Sequence, residues 1–207
     1  MADDFMSKKT KFKIAGLPKA QGLYNPVNEH DACGVGLVLD IKNRPSFDIV
    51  EKGLAMLCNL EHRGAVGADP KAGDGSGLLI QIPHKFLEKK VAESFSIPKP
   101  GDYGVGVIFI PNNTDDEKKI KSLIEEVCLK EQINILGWRL CPTYTKELGW
   151  SVLPSTPIVY QLFLEKPDSE KSQDDFEKKL YILRRCIEKE VLEISDQIQD
   201  GFYIPSF

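Results

Sequence analysis

The feature that most constrains this chain is a junction. Through Ala32 the sequence shows no apolar periodicity, and from Cys33 onward strand-like and helix-like stretches alternate to the end. Asn28-Glu29-His30-Asp31-Ala32-Cys33-Gly34-Val35-Gly36 marks the change, with one cysteine between a short polar run and a Gly-punctuated apolar stretch. Two readings of Cys33 follow. In one it is a small buried residue at the start of a core strand, a common place for cysteine. In the other the chain is cut between Ala32 and Cys33, and the new α-amino group, titrating at about 7.7–8.0, acts as base for the thiol beside it. On the second reading residues 1–32 are a disordered tail and removable pro-segment, and residues 33–207 form one domain.

Composition serves to exclude. At 207 residues, 42% apolar and 28% charged, the chain can bury a real core as one domain, with or without a tail. A net charge of -4 with interspersed signs argues against a nucleic-acid footprint. No hydrophobic run reaches membrane length and the N-terminus lacks the apolar stretch of a secretory signal, so a cytoplasmic location is expected. Cys33, Cys58, Cys128, Cys141 and Cys186 are scattered without a C-x-x-C pair. That pattern points to a reducing compartment and to no zinc or iron–sulfur site in this chain. The sequon at Asn112-Asn113-Thr114 is then a chance match.

Along the chain, Met1 to Gln21 reads as disordered and Gly22 to Pro26 as a turn. Cys33 to Leu39 reads as a strand closed by Asn43-Arg44-Pro45. Ser46 caps a helix from Phe47 to Glu61 with Val50, Leu54, Leu57 and Cys58 on its inner face. A glycine-rich loop, 67–77, leads to a strand at Leu78 to Ile82 and a helix from Pro83 to about Ser94. Gly104 to Ile110 is an apolar strand of the kind buried on both faces. Thr114 and Glu117 form a capping box for a helix ending at Lys130, with Ile120, Leu123, Ile124 and Val127 as its stripe. Strands at Ile133 to Cys141 and Ile158 to Leu164 flank a Pro- and Thr-rich loop. Ser172 opens a helix with Phe176, Leu180, Leu183, Ile187 and Val191 inward, and a last strand starts at Phe202, so the sequence looks cut short. The alternation fits α/β or α+β; periodicity does not decide between them.

A protease-type cysteine would need a histidine as base, and the chain offers His30, His62 and His84. His30 lies in the segment to be removed, His84 is expected at a helix start facing solvent, and His62 suits a helix end better than a dyad. Arg63, between a helix end and Gly64, could point its planar fork into a cleft toward a carboxylate or oxyanion; the plain alternative is a surface ion pair. Gly73-Asp74-Gly75-Ser76-Gly77 lacks the Lys-Ser/Thr of a phosphate loop and precedes a strand. Its glycines are expected to let the backbone pass close to another element. Asp115-Asp116-Glu117 complements a helix N-terminus. Trp138 and Arg139 read as core and edge.

Taken together, the motifs resemble a known family. Leu23-Tyr24-Asn25-Pro26 followed by Asn28 to Gly36 is similar to the pro-segment and mature start of the large subunit of glutamate synthases. Leu60-Glu61-His62-Arg63-Gly64-Ala65, Gly73 to Gly77, Gly137-Trp138-Arg139 and Leu180 to Arg185 follow in the family's order. The resemblance spans residues 22–207. It implies an α+β class II glutamine amidotransferase domain, a four-layer αββα sandwich of the N-terminal nucleophile hydrolase type, incomplete at the C-terminus. It implies Cys33 as catalytic nucleophile with its own amine as base, and Arg63 on the substrate-binding side. L-glutamine would be the substrate, and the ammonia would aminate 2-oxoglutarate elsewhere in the full enzyme. FMN and an iron–sulfur cluster are implied for the full-length enzyme and none for this chain, with the remainder of the polypeptide and a small electron-donating subunit as partners. The family's later Arg-Tyr-Ser-Thr and His-Asn-Gly-Glu motifs do not occur here. Since one lost oxyanion donor costs about 10²–10³ in rate, the chain alone is expected to be inactive. The competing expectation is a non-catalytic folding or interaction piece with an unpaired strand edge.

Overall fold

The computed structural model describes residues 21–22, 34–60, 68–73, 75–194 and 201–207. The expectations for most of the N-terminal tail, for Cys33, His30, His62 and Arg63, and for Asp74 lie outside the described residues.

Among the described residues the α-helices and strands follow in the order α1 (Phe47–Asn59), α2 (His84–Val91), β1 (Tyr103–Ile110), α3 (Thr114–Lys130), β2 (Ile135–Leu140), β3 (Ile158–Glu165), α4 (Gln173–Leu192) and β4 (Tyr203–Ser206), with a short 3-10 turn at Leu153–Ser155. The strands make one sheet in the order β2-β3-β1-β4, and every pairing is antiparallel. Helices beside an antiparallel sheet settle the class as α+β.

The core lies on one face of this sheet. Alternation along β1 turns Gly104, Gly106, Ile108 and Ile110 one way, and Leu162, Leu164 and Ile204 join them from β3 and β4. The stripes of α3 (Ile120, Ile124, Val127) and α4 (Phe176, Leu180, Leu183, Ile187, Val191) cover that face. Each fully buried aliphatic side chain contributes roughly 1.5–3 kcal/mol. Gly104 is required here, because a Cβ would lie 2.8 Å from Leu180 Cδ1. The opposite face is covered only in part: Leu87 and Val91 of α2 pack with Phe95, Tyr103 and Phe163. In β2 a bulge sets Leu136 and Gly137 together on this second face, since the register slips between Ile135 and Gly137.

The helix stripes expected for α3 and α4 are the ones buried, and Ser172 Oγ accepts from Asp175 N as the cap of α4. Four expectations need correction. Asn113, not Thr114, caps α3: its Oδ1 accepts from the amides of Asp115 and Asp116 at 2.9 and 3.4 Å. Glu117 is drawn away from any capping box by Lys121 and Tyr160. The stretches 34–39 and 78–82 are not strands, because neither finds a ladder partner among the described residues. Their apolar side chains stay in the open: Val35 is 87%, Leu37 80% and Leu79 90% exposed. Helix α1 presents only part of the side expected. Val50 and Leu57 are half-buried, but Leu54 and Cys58 are exposed, and Gly53, Met56 and Leu60 make contacts in their place. Small residues decide this. Glycines at 34, 36 and 53 admit closer packing than an aliphatic stripe would.

Candidate functional site

The chain from Gly34 runs along the second half of α1. A Cβ on Gly34 would lie 2.9 Å from Leu60 Cδ2, and one on Gly36 would lie 2.7 Å from Met56 Cε. On the same helix Gly53 admits Leu78, at 3.1 Å from its Cβ position. Gln81 Nε2 donates to Asn43 Oδ1 at 3.0 Å, tying the stretch after the glycine-rich loop to the turn before α1. That turn is closed by Asp40, which accepts from Lys42 N at 2.7 Å and from Arg44 Nη2 at 2.7 Å. The Arg44 guanidinium holds the Asp40 carboxyl below the usual carboxylate range. Asn43 takes φ +52, a conformation in which asparagine is more at ease than most residues. Gly34, which follows Cys33 in the sequence, abuts Leu60; Cys33 and Arg63 themselves lie outside the described residues.

The other singled-out residues are placed as follows. His84 does not face solvent: its Nδ1 is 2.9 Å from the Tyr103 hydroxyl and the ring is mostly covered. Burial pushes the Tyr103 hydroxyl pKa up. Arg139, on edge strand β2, donates to Gln161 Oε1 at 2.7 Å and lies over the Phe86 ring. Trp138 packs edge-on to Tyr160 against the core. Of the glycine-rich loop, Gly75 is explained by its φ of +67, while added Cβ atoms at Gly75 and Gly77 would meet open space. The close backbone passage expected at those two glycines is thus not found. Asp115 and Asp116 stand in the first turn of α3. Cys58, Cys128, Cys141 and Cys186 are free; burial pushes the Cys128 thiol up to about 12, so it is inert as a nucleophile.

Two features were missed by sequence reasoning. Asp69 is buried, and it accepts from the amide and hydroxyl of Ser151 and from the Lys71 amide. The signal available was Gly-Ala-Asp-Pro, which reads only as a turn. The second is a cluster on α3 and β3: Glu117 Oε1 accepts from Lys121 Nζ at 2.8 Å and from the Tyr160 hydroxyl at 2.6 Å, and Lys121 sits over the Tyr160 ring. Four residues between Glu and Lys is legible as a helical pair, but its Tyr160 partner is not.

Among the described residues no three of His, Cys, Asp or Glu gather where a metal ion could be held. None of their helices is long and apolar enough to cross a membrane. A groove of about 660 Å³ lies between α4 and β4 and is lined by Arg184, Glu188, Phe202 and Tyr203, none of them an expected site residue.

Residues 33–207 match the family model described as glutamine amidotransferases class-II, and the match begins at Cys33. The chain is 43% identical over 172 residues to the glutamate synthase (NADPH) large chain of Bacillus subtilis, covering 83% of this chain and 11% of that protein. It is 37% identical over 175 residues to the glutamate synthase (NADH) of Schizosaccharomyces pombe, covering 82% of this chain and 8% of that one. It is also 37% identical over 172 residues to the chloroplastic ferredoxin-dependent glutamate synthase of Oryza sativa, covering 83% and 11% respectively. The chain thus spans about a tenth of the length of these curated relatives.

Proposed function

Given that the chain belongs to the class-II glutamine amidotransferases, we propose that residues 33–207 are part of the glutaminase unit of a glutamate synthase, with residues 1–32 as a pro-segment removed on maturation. The observation that carries this reading is the coincidence of two boundaries at one residue: the family match begins at Cys33, and apolar patterning in the sequence begins there too.

The chemistry follows from an N-terminal thiol. Hydrolysis of the Ala32–Cys33 peptide leaves a free amine on the same residue as the sulfur. Near neutral pH part of that amine is unprotonated and takes the thiol proton. The thiolate attacks the side-chain amide carbon of L-glutamine, and the resulting tetrahedral adduct collapses as ammonia departs with the amine's proton. A glutamyl thioester remains. Water, deprotonated by the same amine, cleaves it to glutamate and restores the thiol. Arg63, with its fixed charge and paired donors, would stand beside the substrate pocket, suited to a carboxylate or a developing oxyanion. Gly34, next in sequence to Cys33, lies on Leu60.

In this proposal the ammonia goes on to aminate 2-oxoglutarate in the rest of the polypeptide. An iron–sulfur cluster needs several thiolates around one point. The described cysteines stand on separate elements and no metal-holding group forms among the described residues, so they do not fit such a cluster. No step here passes through a cluster or FMN; both are assigned to the remainder of the enzyme, as is docking of a small electron-donating subunit. A cytoplasmic location completes the reading.

The four-layer αββα arrangement belongs to the proposal too. The second face of the sheet carries half-exposed Val105, Val107, Phe109 and Val159, and the stretches 34–41 and 78–82 carry exposed apolar residues in alternation. Pairing those stretches into a second sheet on that face would bury both sets at once. Two facing sheets between two helix layers would result.

The test is intact mass and glutaminase rate on the full natural polypeptide. Mature protein should start at Cys33, and Cys33→Ala should abolish ammonia release from glutamine. Retained activity in that variant, or wild-type activity with the Ala32–Cys33 bond intact, would overturn the mechanism.

A further inference from the structure

We propose that Asp69 is a positioning residue: it latches the loop after the Arg63 motif to the β2–β3 connection and thereby sets the affinity for glutamine. The inference rests on the reading of Arg63 as a substrate-side residue.

Asp69 is the one polar or charged residue buried among the described residues, at 5% exposure. Its Oδ2 accepts from Ser151 N at 2.9 Å and from Ser151 Oγ at 2.8 Å, across 82 positions of sequence. Its Oδ1 accepts from Lys71 N at 3.1 Å, and its own carbonyl accepts from Ala72 N, so the loop is folded around the carboxylate. The partner loop is shaped to receive it. A Cβ on Gly149 would lie 2.6 Å from Asp69 Cγ, which leaves glycine as the residue that fits. Outside the latch, Lys71 Nζ and Glu147 Oε2 meet at 3.3 Å in solvent, an exposed pair worth little by itself.

A buried carboxylate is costly unless its oxygens are well satisfied, and here charge-assisted bonds reach both of them. Led by the Ser151 amide, these bonds hold the carboxyl below its usual range, so it is ionised at neutral pH. Asparagine does not substitute, because both oxygens accept and an amide NH₂ would face a donor. Asp69 follows Arg63 by six positions, so at most about 20 Å of chain lies between them. Fixing one end of so short a tether restricts where the other can go. The effect of releasing it should therefore fall on binding more than on the chemical step.

The experiment measures KM and kcat for glutamine separately in the full polypeptide, for Asp69→Asn, Ser151→Ala and the double variant, with hydrogen exchange at the Ser151 amide. Asp69→Asn should raise KM about tenfold, the scale of one lost charge-assisted bond, and leave kcat within about threefold. The double variant should be no worse than Asp69→Asn alone, and the Ser151 amide should lose protection. An unchanged KM with a deprotected Ser151 amide would overturn the inference by making the latch merely structural. A fall in kcat alone would overturn it as well. If Asp69→Asn does not fold, Ser151→Ala carries the test, with a two- to threefold rise in KM expected and an unchanged KM overturning the proposal. Cys33→Ala runs in parallel. Should it stay active, the nucleophile reading falls, while the KM of Asp69→Asn still decides for or against the latch.

Discussion

Gly137 offers the sharpest test of how this sheet is packed. It sits beside Leu136 in the β2 bulge, on the face toward α2, and the site of an added Cβ lies 2.5 Å from Phe95 Cε1 and 2.7 Å from Cγ. Carbon atoms rest at about 3.5–4.0 Å, so the ring must retreat by about 1 Å or more to admit a methyl group. Phe95 has little freedom to do so. Its ring stands edge-on to Phe163 at 5.2 Å, and Phe163 is fully buried against Tyr103 and α2. Overpacking of this kind costs about 1–3 kcal/mol. Hydrogen exchange of the β2 and β3 amides in the full polypeptide, read as local opening free energy, should show Gly137→Ala weaker by that amount. In a Phe95→Ala background the same substitution should cost less than about 0.5 kcal/mol, because the obstacle is gone. Equal penalties in both backgrounds would refute the ring contact as the cause and point to backbone strain in the bulge.

Two further outcomes follow from the corrected helix start and the missed cluster. Asn113→Ala should destabilise α3 by about 1 kcal/mol and Thr114→Ala by much less, since the Asn113 side chain holds the two N-terminal amides; urea midpoints of the two variants check the order. Glu117 is held below its ordinary pKa, first by Lys121 and then by the Tyr160 hydroxyl, so its contribution is present above the unfolded value and is lost as pH falls through the folded one. Wild type should therefore shed stability faster than Glu117→Gln between about pH 5 and pH 3, and parallel slopes in denaturation at several pH values would contradict the pairing.

What was legible in the sequence was whatever depends on one period. The stripes of α3 and α4 repeat every three to four residues, and each of their expected inward residues is covered by the sheet. The apolar run of β1 likewise marked a strand. Burial on both faces, which that run led one to expect, is not found: Val105, Val107 and Phe109 are half-exposed, because the cover on the second face is partial. The failures share a different cause. A strand is defined by its partner, so the alternation of Val35, Leu37 and Leu39 could be read while their lack of a ladder could not. The face of α1 was misjudged in part because periodicity ranks residues by size and apolarity, whereas Gly34, Gly36 and Gly53 set its contacts by being small. Asn113 was overlooked as a cap for a milder reason. Asn, Thr and Asp stand in succession there, and all three are good caps. Of the site, the motif order was visible and the long-range bond from Asp69 to Ser151 was not, because nothing local announces a contact across 82 positions.

The distribution of buried residues bears on how a peptide bond next to a site can be cut without unfolding the domain. The large apolar core joins α3, α4 and the four strands, all of them after residue 102. The segment from Gly34 to Leu60 contributes no side chain to it and is held by glycine-mediated contacts to Met56, Leu60 and Leu78 and by short polar bonds at Asp40 and Asn43. Stability that is unevenly spread opens unevenly, and stretches with few buried apolar contacts open at lower free energy than the core. Under the proposed maturation, the bond before Cys33 therefore adjoins a stretch with few buried apolar contacts, whose rearrangement would leave the sheet and its two covering helices folded. The same unevenness separates Gly137→Ala, which acts on the sheet, from a change at Gly34 or Gly36, which would act on the strip of chain that follows the proposed nucleophile.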